Sequence, residues 1–413
     1  MSACHAYIER CLQQFEKVGW RDDTQLKKII AEARPIMDTS TCWDKKRFGS
    51  LIRYIKRLKR IAMLRRKHVG SDASSVVAFN LYTKGIGWMA TFKKPVTSVA
   101  CGCSHILLVS EGIPFSCGKN SWMQLGHDDF TTRDQFEMIA SFSKNSLAVT
   151  GVVCGYSVSV IVTGKDAFAC GCNANGRLGI GYDSSKPTKL TKIRYDALLT
   201  RIRCGSMHAC ALTDEGTIVS WGHHMYNGHG VPTYTPTVID DLKDISMYNV
   251  SIDSSGYHTI ATTVSGNIYT WGHNRVGQLG YRNIADSYIY PIPKRIDIGP
   301  DVAVVDACAG WGHSVLYTDT GGIYTCGRNE EGQLMLEKEK CPVNLRGHRY
   351  VDTFTKVFSD SSICRLATGN CFTGYINDNW QWVWWGNGNT LMKLENVTCV
   401  SIGTAIKCVG HTI

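Results

Sequence analysis

The chain has 413 residues, 44% of them hydrophobic and 19% charged, with a formal net charge of +10, enough to bury one large core plus a small appendage. No apolar run approaches the ~20 residues of a membrane helix. The first 25 residues carry Glu9, Glu16, Asp22 and Asp23, so they read neither as a secretory signal nor as an acid-poor transit peptide. The expected location is intracellular, nucleus or cytoplasm, with no transmembrane segment.

Charge divides the chain in two. Residues 1–70 hold 17 Lys and Arg against 7 Asp and Glu, whereas residues 71–413 hold 28 of each. The whole excess therefore sits on the first segment. That segment reads as helical: Tyr7, Ile8, Cys11, Leu12, Phe15 and Val18 fall at helical spacing, as do Leu26, Ile29, Ile30, Ala33 and Met37, with a break near Pro35. Thr41-Cys-Trp-Asp44 resembles a capping box. Beyond it, Phe48, Leu51, Ile52, Ile55, Leu58 and Ala62 form one stripe, and Lys45, Lys46, Arg53, Lys56, Arg57, Lys59 and Arg60 line much of the rest, extended by Arg65, Arg66 and Lys67. Several readings of this basic amphipathic helix stand side by side. Its stripe packs on its neighbours or on the main domain while the basic face is solvated. The basic face binds an acidic partner or nucleic acid by releasing counterions from phosphates. Lys56-Arg-Leu-Lys-Arg60 serves as a nuclear import signal. An anionic membrane surface is a further partner class.

Next come Ser75-Val-Val-Ala-Phe-Asn80 and Lys84-Gly-Ile-Gly-Trp-Met-Ala90, two strand-like runs, and then a repeat. Each unit reads apolar strand, Cys-Gly, two variable residues, His, apolar strand, Gly turn, Trp-Gly or Cys-Gly, Asn, and a Leu-Gly close. Its first anchors fall at Cys101, Cys154, Cys204, Ser254, Ala309 and Phe358, spaced 53, 50, 50, 55 and 49 residues. Its second anchors fall at Cys117, Cys170, Trp221, Trp271, Cys326 and Trp385. A period near fifty holds four strands and their turns. Glycines at 112, 164, 216, 266 and 322 sit between strands, where a hairpin turn calls for positive φ. The end of the chain, Val397 to Gly410, restarts a unit and stops. Joined in one sheet with the strands at 75–90, it closes a ring without a loose edge. The expected fold is all-β: a seven-bladed β-propeller over residues 71–413, with a small N-terminal α-helical extension over 1–70.

The side chains within the repeat carry no catalytic constellation. There is no Gly-Lys-Ser or Gly-Lys-Thr phosphate loop, no His-Glu-x-x-His and no Gly-x-Ser-x-Gly. The reading is a non-enzyme with no cofactor and no metal. The 18 cysteines follow the repeat and read as small buried side chains in a reducing compartment, not as a disulfide framework. Cys101-Gly-Cys103 and Cys170-Gly-Cys172 lack partners to complete a four-ligand set. One periodic histidine per unit, at 105, 208, 258 and 313, reads as a structural hydrogen-bonding group; repeat two has Val158 there, and repeat six has Ser362 and a hairpin lengthened over Asn370 to Asn379. The variable pairs before these positions lie in turns that gather on one face: Cys103-Ser104, Tyr156-Ser157, Ser206-Met207, Gly256-Tyr257, Trp311-Gly312 and Asp360-Ser361. Tyr156, Met207, Tyr257, Trp311 and Asp360 are thus the candidate protein-binding residues; the alternative for the large ones is that they fold inward over the channel. Trp380, Trp382 and Trp384 are expected on one face of a strand, with Trp385 at the usual aromatic position.

The string Trp271-Gly-His-Asn-Arg-Val-Gly-Gln-Leu-Gly280, following Gly256-Tyr-His258, resembles the repeat of the regulator of chromosome condensation family, over about residues 75–413. The resemblance implies a propeller and two further comparisons. Members that exchange nucleotide on the small GTPase Ran carry acidic residues on this face and insert a β-wedge; here Asp360 alone is acidic. Ultraviolet photoreceptor members place Trp and Arg at the pair in several blades; here Trp311 occurs once, without the Arg. The leading expectation is a protein-interaction scaffold with a basic arm. The alternative is a chromatin-associated guanine-nucleotide exchange factor for a Ran-like GTPase, and an adaptor role in a ubiquitin ligase follows from fold analogy alone.

Overall fold

In this computed structural model the described residues are 74–80, 85–92, 94, 96–143 and 148–412, apart from 284–286, 301, 345, 387–388, 395–396 and 403–405. Residues 1–70, with the whole basic segment from Lys45 to Lys67, lie outside them.

The chain builds antiparallel four-stranded sheets in sequence. Blade one runs Val96–Cys101, His105–Ser110, Ile113–Gly118 and Arg133–Met138. Blade two runs Val149–Cys154, Val158–Thr163, Ala167–Cys172 and Pro187–Lys192. Blades three to five start at the inner strands Leu199–Cys204, Met247–Ser251 and Val304–Ala309 and repeat the pattern. Blade six runs Ile363–Thr368, Phe372–Asn377, Trp382–Gly386 and Asn389–Leu394. Six blades, rather than seven, are each one run of chain. The remaining sheet is composite, in the order Gly85–Phe92, Ser74–Asn80, Ile406–Thr412, Val397–Ile402, with Ser74 paired to Thr412 and Asn80 to Ile406. Its strand Val397–Ile402 lies against the inner strands of blades one and six, and Phe92 packs edge-on against Phe115 of blade one at 5.3 Å.

Alternation explains why these runs are strands with two covered faces. The second strand of a blade is buried along its whole length, as in His105–Ser110 and His258–Thr263, because blades cover it on both sides. The outer strand Arg133–Met138 is mostly exposed. The core accordingly lies between blades: Trp221, Ile202, Ala209 and Val219 of blade three pack with Val158, Ala169, Leu178 and Ile180 of blade two.

Two details differ from the sequence expectation. The turn glycine of blade five is Gly321, at φ 86°, rather than Gly322, which is in the strand; Gly164 stays out of the positive-φ region that Gly112, Gly216 and Gly266 occupy. Repeat six is displaced by ten residues. Its first anchor is Thr368, not Phe358, because blade five has both a longer loop, 329–349, and a longer outer strand, Tyr350–Ser359, than the other blades. Phe372 therefore takes the histidine position, and Asn370–Asn379 is not a lengthened hairpin but mostly the second strand, Phe372–Asn377.

Candidate protein-interaction face

Turns between first and second strands, and loops between third and fourth strands, emerge at the same end of every blade. The loop motif Asn-x-x-x-Gln-Leu, closed by Gly126, Gly280 or Met335 at positive φ, makes that end rigid. Asn120, Asn274 and Asn329 are buried, and each accepts through Oδ1 from the amide of the motif leucine five residues on, at 2.9, 2.9 and 3.0 Å. Gln124, Gln278 and Gln333 accept through Oε1 from the amide two residues earlier.

The carbonyl of that glutamine is a hub between blades. Gln333 accepts from Thr373 Oγ1 at 2.8 Å and from Trp385 Nε1 at 2.9 Å, both on blade six. Gln278 accepts from Ser314 Oγ at 2.6 Å and from Cys326 Sγ at 3.6 Å, and Gln124 from Ser159 Oγ and Cys170 Sγ. The same hydroxyls meet the repeat histidines. His105 Nε2 reaches Ser159 Oγ, His258 reaches Ser314, and His313 reaches Thr373, each at 2.9 Å; His208 reaches Thr259 at 2.8 Å. In the three complete relays the hydroxyl proton goes to the glutamine carbonyl, so the hydroxyl must accept from Nε2–H. The imidazole is then neutral, with Nδ1 bare. Burial pulls His105 and His313 down to about 4, and His208 and His258 to about 3. The histidines are inter-blade staples, as their periodicity implied. The adjacent glycine is part of the same device: a Cβ on Gly102 would overlap the His105 ring and the Gly155 carbonyl.

The described cysteines are free, and those of the first-anchor column are buried, with burial pushing Cys204 up to about 12. Among the described residues no group of three or more His, Cys, Asp or Glu is placed to hold a metal.

Main-chain hydrogen bonds link the variable pairs from blade to blade: Cys103 N to Tyr156 O, Tyr156 N to Gly205 O, Ser206 N to Gly256 O and Trp311 N to Gly369 O, at 3.1–3.4 Å. Tyr156, Met207, Tyr257 and Trp311 therefore share one face. They do not share one environment. Tyr156 and Trp311 are 43% and 38% exposed. Trp311 lies under the Arg328 guanidinium, 5.1 Å from the ring centre, and Arg328 is ion-paired to Glu330, which also pairs with His348. The arginine absent beside Trp311 in sequence thus arrives from the third strand. Met207 is half-buried, and Tyr257 packs edge-on against Tyr226 at 5.3 Å with its hydroxyl 3.1 Å from Ser206 Oγ.

Asp360 is not on this face. It lies in the connection from blade five to blade six, at the opposite end, where its amide donates to Gly321 O at 2.9 Å. Its Oδ1 accepts from the Ser362 amide and hydroxyl, and its Oδ2 from Tyr375 Oη at 3.0 Å. These bonds outweigh burial and hold its carboxyl below the ordinary range. The true counterpart pair in blade six is Asn370-Cys371. Trp380 is also displaced: it sits in a turn at φ 59°, while Trp382 and Trp384 stack at 6.1 Å. Sequence reading missed Asp253, buried behind this face and raised by burial to about 6; an acidic residue two before a Ser in a tip turn was the available signal.

A sequence model described as RCC1-like domain matches residues 83–399. The ultraviolet-B receptor UVR8 of Arabidopsis thaliana is 30% identical over 246 residues, covering 58% of this chain and 54% of that protein. The secretion-regulating guanine nucleotide exchange factor of Mus musculus is 28% identical over 257 residues, covering 58% and 53%. The chain thus spans about half the length of these two relatives. Among solved structures, Prp20p of Saccharomyces cerevisiae, whose binding to Gsp1p and histones is described, superposes with a TM-score of 0.69 at 19% identity, covering 84% of this chain and 94% of that one. Human WBSCR16 gives 0.67 at 17% identity, covering 83% and 99%. At these identities the structures share the fold. With the repeat, the inter-blade relays and the match over most of its length together, the chain belongs to the RCC1-like domain family.

Proposed function

We propose that the composite sheet closes the ring as a seventh blade, and that the propeller is a non-enzymatic scaffold which docks a protein segment across the face bearing Tyr156, Met207, Tyr257 and Trp311. The observation that carries this reading is the exposure of Tyr156 and Trp311 on a rim tied blade to blade by main-chain hydrogen bonds. Large rings with few rotors, held on a rigid support, make strong contact residues. The basic segment from Lys45 to Lys67 would add a second contact, to an acidic partner or nucleic acid in the nucleus or cytoplasm. Among the described residues no helix is long and apolar enough to cross a membrane. The test compares partners recovered by the full chain and by Tyr156→Ala/Trp311→Ala. Loss of a recovered protein at unchanged melting temperature supports the reading; full retention overturns it.

The second reading is guanine-nucleotide exchange on a Ran-like GTPase. What favours it is the similarity to the mouse secretion-regulating guanine nucleotide exchange factor and to yeast Prp20p, whose binding to Gsp1p is described. With the Asn370–Asn379 hairpin gone and Asp360 on the other face, its residue-level support now rests on Glu330 and Glu331 in the long loop 329–349. Release of labelled nucleotide from Ran on adding the full chain decides it, and no acceleration removes it.

A further inference from the structure

The inner strands surround a channel, and their residues are almost all small or apolar. VTSVAC, VTGVVC, MYNVS and VTCVSI carry no charge. The exceptions are Arg201 and Arg203 in blade three, Asp306 in blade five and Arg365 in blade six. Three cations against one anion leave an excess of positive charge inside a ring of uncharged wall. The burial pattern of Leu199–Cys204 turns Leu199, Ile202 and Cys204 into the blades and leaves Arg201 and Arg203 on the channel side. Arg365 is likewise exposed between buried Ile363 and Leu366.

Asp306 is committed to structure. Its Oδ1 accepts from Asn249 Nδ2 and the Ala307 amide, and its Oδ2 from the Leu366 amide at 3.3 Å, which ties the inner strands of blades four, five and six. Arg203 makes one guanidinium hydrogen bond among the described residues, from Nη1 to the Ile202 carbonyl at 3.0 Å. Most of its five donors stay unspent. Burial, then the like charges of Arg365 and Arg201, pull Arg203 down to about 10, still charged at neutral pH.

We propose that the channel binds an oxyanion of the phosphate class between Arg203 and Arg365. The inner strands touch one another in turn around the ring, so Arg203 on blade three and Arg365 on blade six face the channel from different sides, and the charge of Arg365 acts on Arg203. A tetrahedral dianion offers acceptor oxygens in both directions and matches two positive charges, whereas a carboxylate presents both oxygens along one edge. Binding relieves the repulsion between the arginines, and because the ligand binds the folded chain it stabilises the fold increasingly as its concentration rises above Kd.

The experiment measures the melting temperature of the full chain, and the heat of binding, during titration with inorganic phosphate, with chloride and acetate as controls at equal ionic strength. Phosphate alone should give a saturable heat of binding and raise the melting temperature with the logarithm of its concentration. Arg365→Gln and Arg203→Gln should each weaken phosphate binding roughly tenfold or more, while melting in chloride no lower than the parent. Arg203→Lys, which keeps charge without the fork, should fall between. The proposal is overturned if phosphate gives no shift, if chloride or acetate gives the same shift, or if both glutamine variants retain it. It is also overturned if Arg203→Gln melts lower in chloride, since the arginine then serves packing; exposed Arg365 supplies the independent variant should Arg203→Gln not fold.

Discussion

The interface between blades four and five and the one between blades two and three solve the same packing problem with different chemistry. At the first, His258 Nε2 bonds Ser314 Oγ, which bonds the Gln278 carbonyl. At the second, Val158 stands where the histidine would be and Ala209 where the hydroxyl would be, both buried in the cluster around Trp221. Polar partner and polar donor are absent together. A buried imidazole facing Ala209 would lack an acceptor, and a lone hydroxyl would lose its donor, so one replacement alone costs more than both. The staple is therefore a matched unit that an interface either has whole or replaces with apolar contact.

Four measurements test this difference between the two interfaces. Trp221→Ala should have the largest effect, about 3–5 kcal/mol in urea unfolding, because the apolar interface relies on this ring and on its Nε1 bond to Arg177 O at 3.0 Å. A loss under 1 kcal/mol would mean blades two and three are held elsewhere.

Acid comes next. An unfolded histidine titrates near 6.5, while the four stapling ones sit at about 3–4. Below pH 6.5 the unfolded chain takes up protons that the fold refuses, so stability falls with pH until the folded values are reached. Each histidine contributes up to about 1.4 kcal/mol per pH unit. Asp253, raised to about 6, opposes this between pH 6 and 3.8. Unfolding at pH 7 and pH 5 should show a net loss of several kcal/mol, and His258→Val/Ser314→Ala should make the slope shallower by about 1.4 kcal/mol per unit. An unchanged slope would show that His258 is not held neutral.

Val158→His should cost about 1–3 kcal/mol as an unpartnered buried imidazole, and adding Ala209→Ser should recover roughly 1 kcal/mol. Strict additivity of the two would refute the matched-unit account. The smallest effect belongs to the rim: Tyr156→Ala/Trp311→Ala should stay within about 0.5 kcal/mol of the parent, and a larger loss would reassign these rings from docking to packing.

Much of this architecture was legible because the repeat encodes contacts as well as strands. Asn120 and Gln124, the His105 column and the Trp271 column recur because each makes the same bond in successive blades. Repeat six was misread for the converse reason. With Phe372 in place of histidine, periodicity had no polar mark to lock on, and the nearest Ser and Asp at 360–362 imitated a tip while belonging to the opposite turn. Asp360 was lost to that slip, whereas Met207, Tyr257 and Trp311 beside their histidines, and Tyr156 beside the Cys-Gly of blade two, do share one face. The channel arginines escaped notice because a single charged residue in a strand carries no period; only closure of the strands around an axis brings Arg203 and Arg365 within reach of each other's charge.

The pairing of Ser74 with Thr412 sets the order in which the molecule can be finished. During synthesis from the amino end, the strand Ser74–Asn80 is made early, yet its partner Ile406–Thr412 leaves the ribosome after every other described strand. Blades one to six can assemble locally as they emerge, and Ser74–Asn80 can pair at once with Gly85–Phe92, but its other edge must wait, its main-chain groups open to wrong partners. Completing this sheet is thus a contact across more than three hundred residues, the kind that forms slowly.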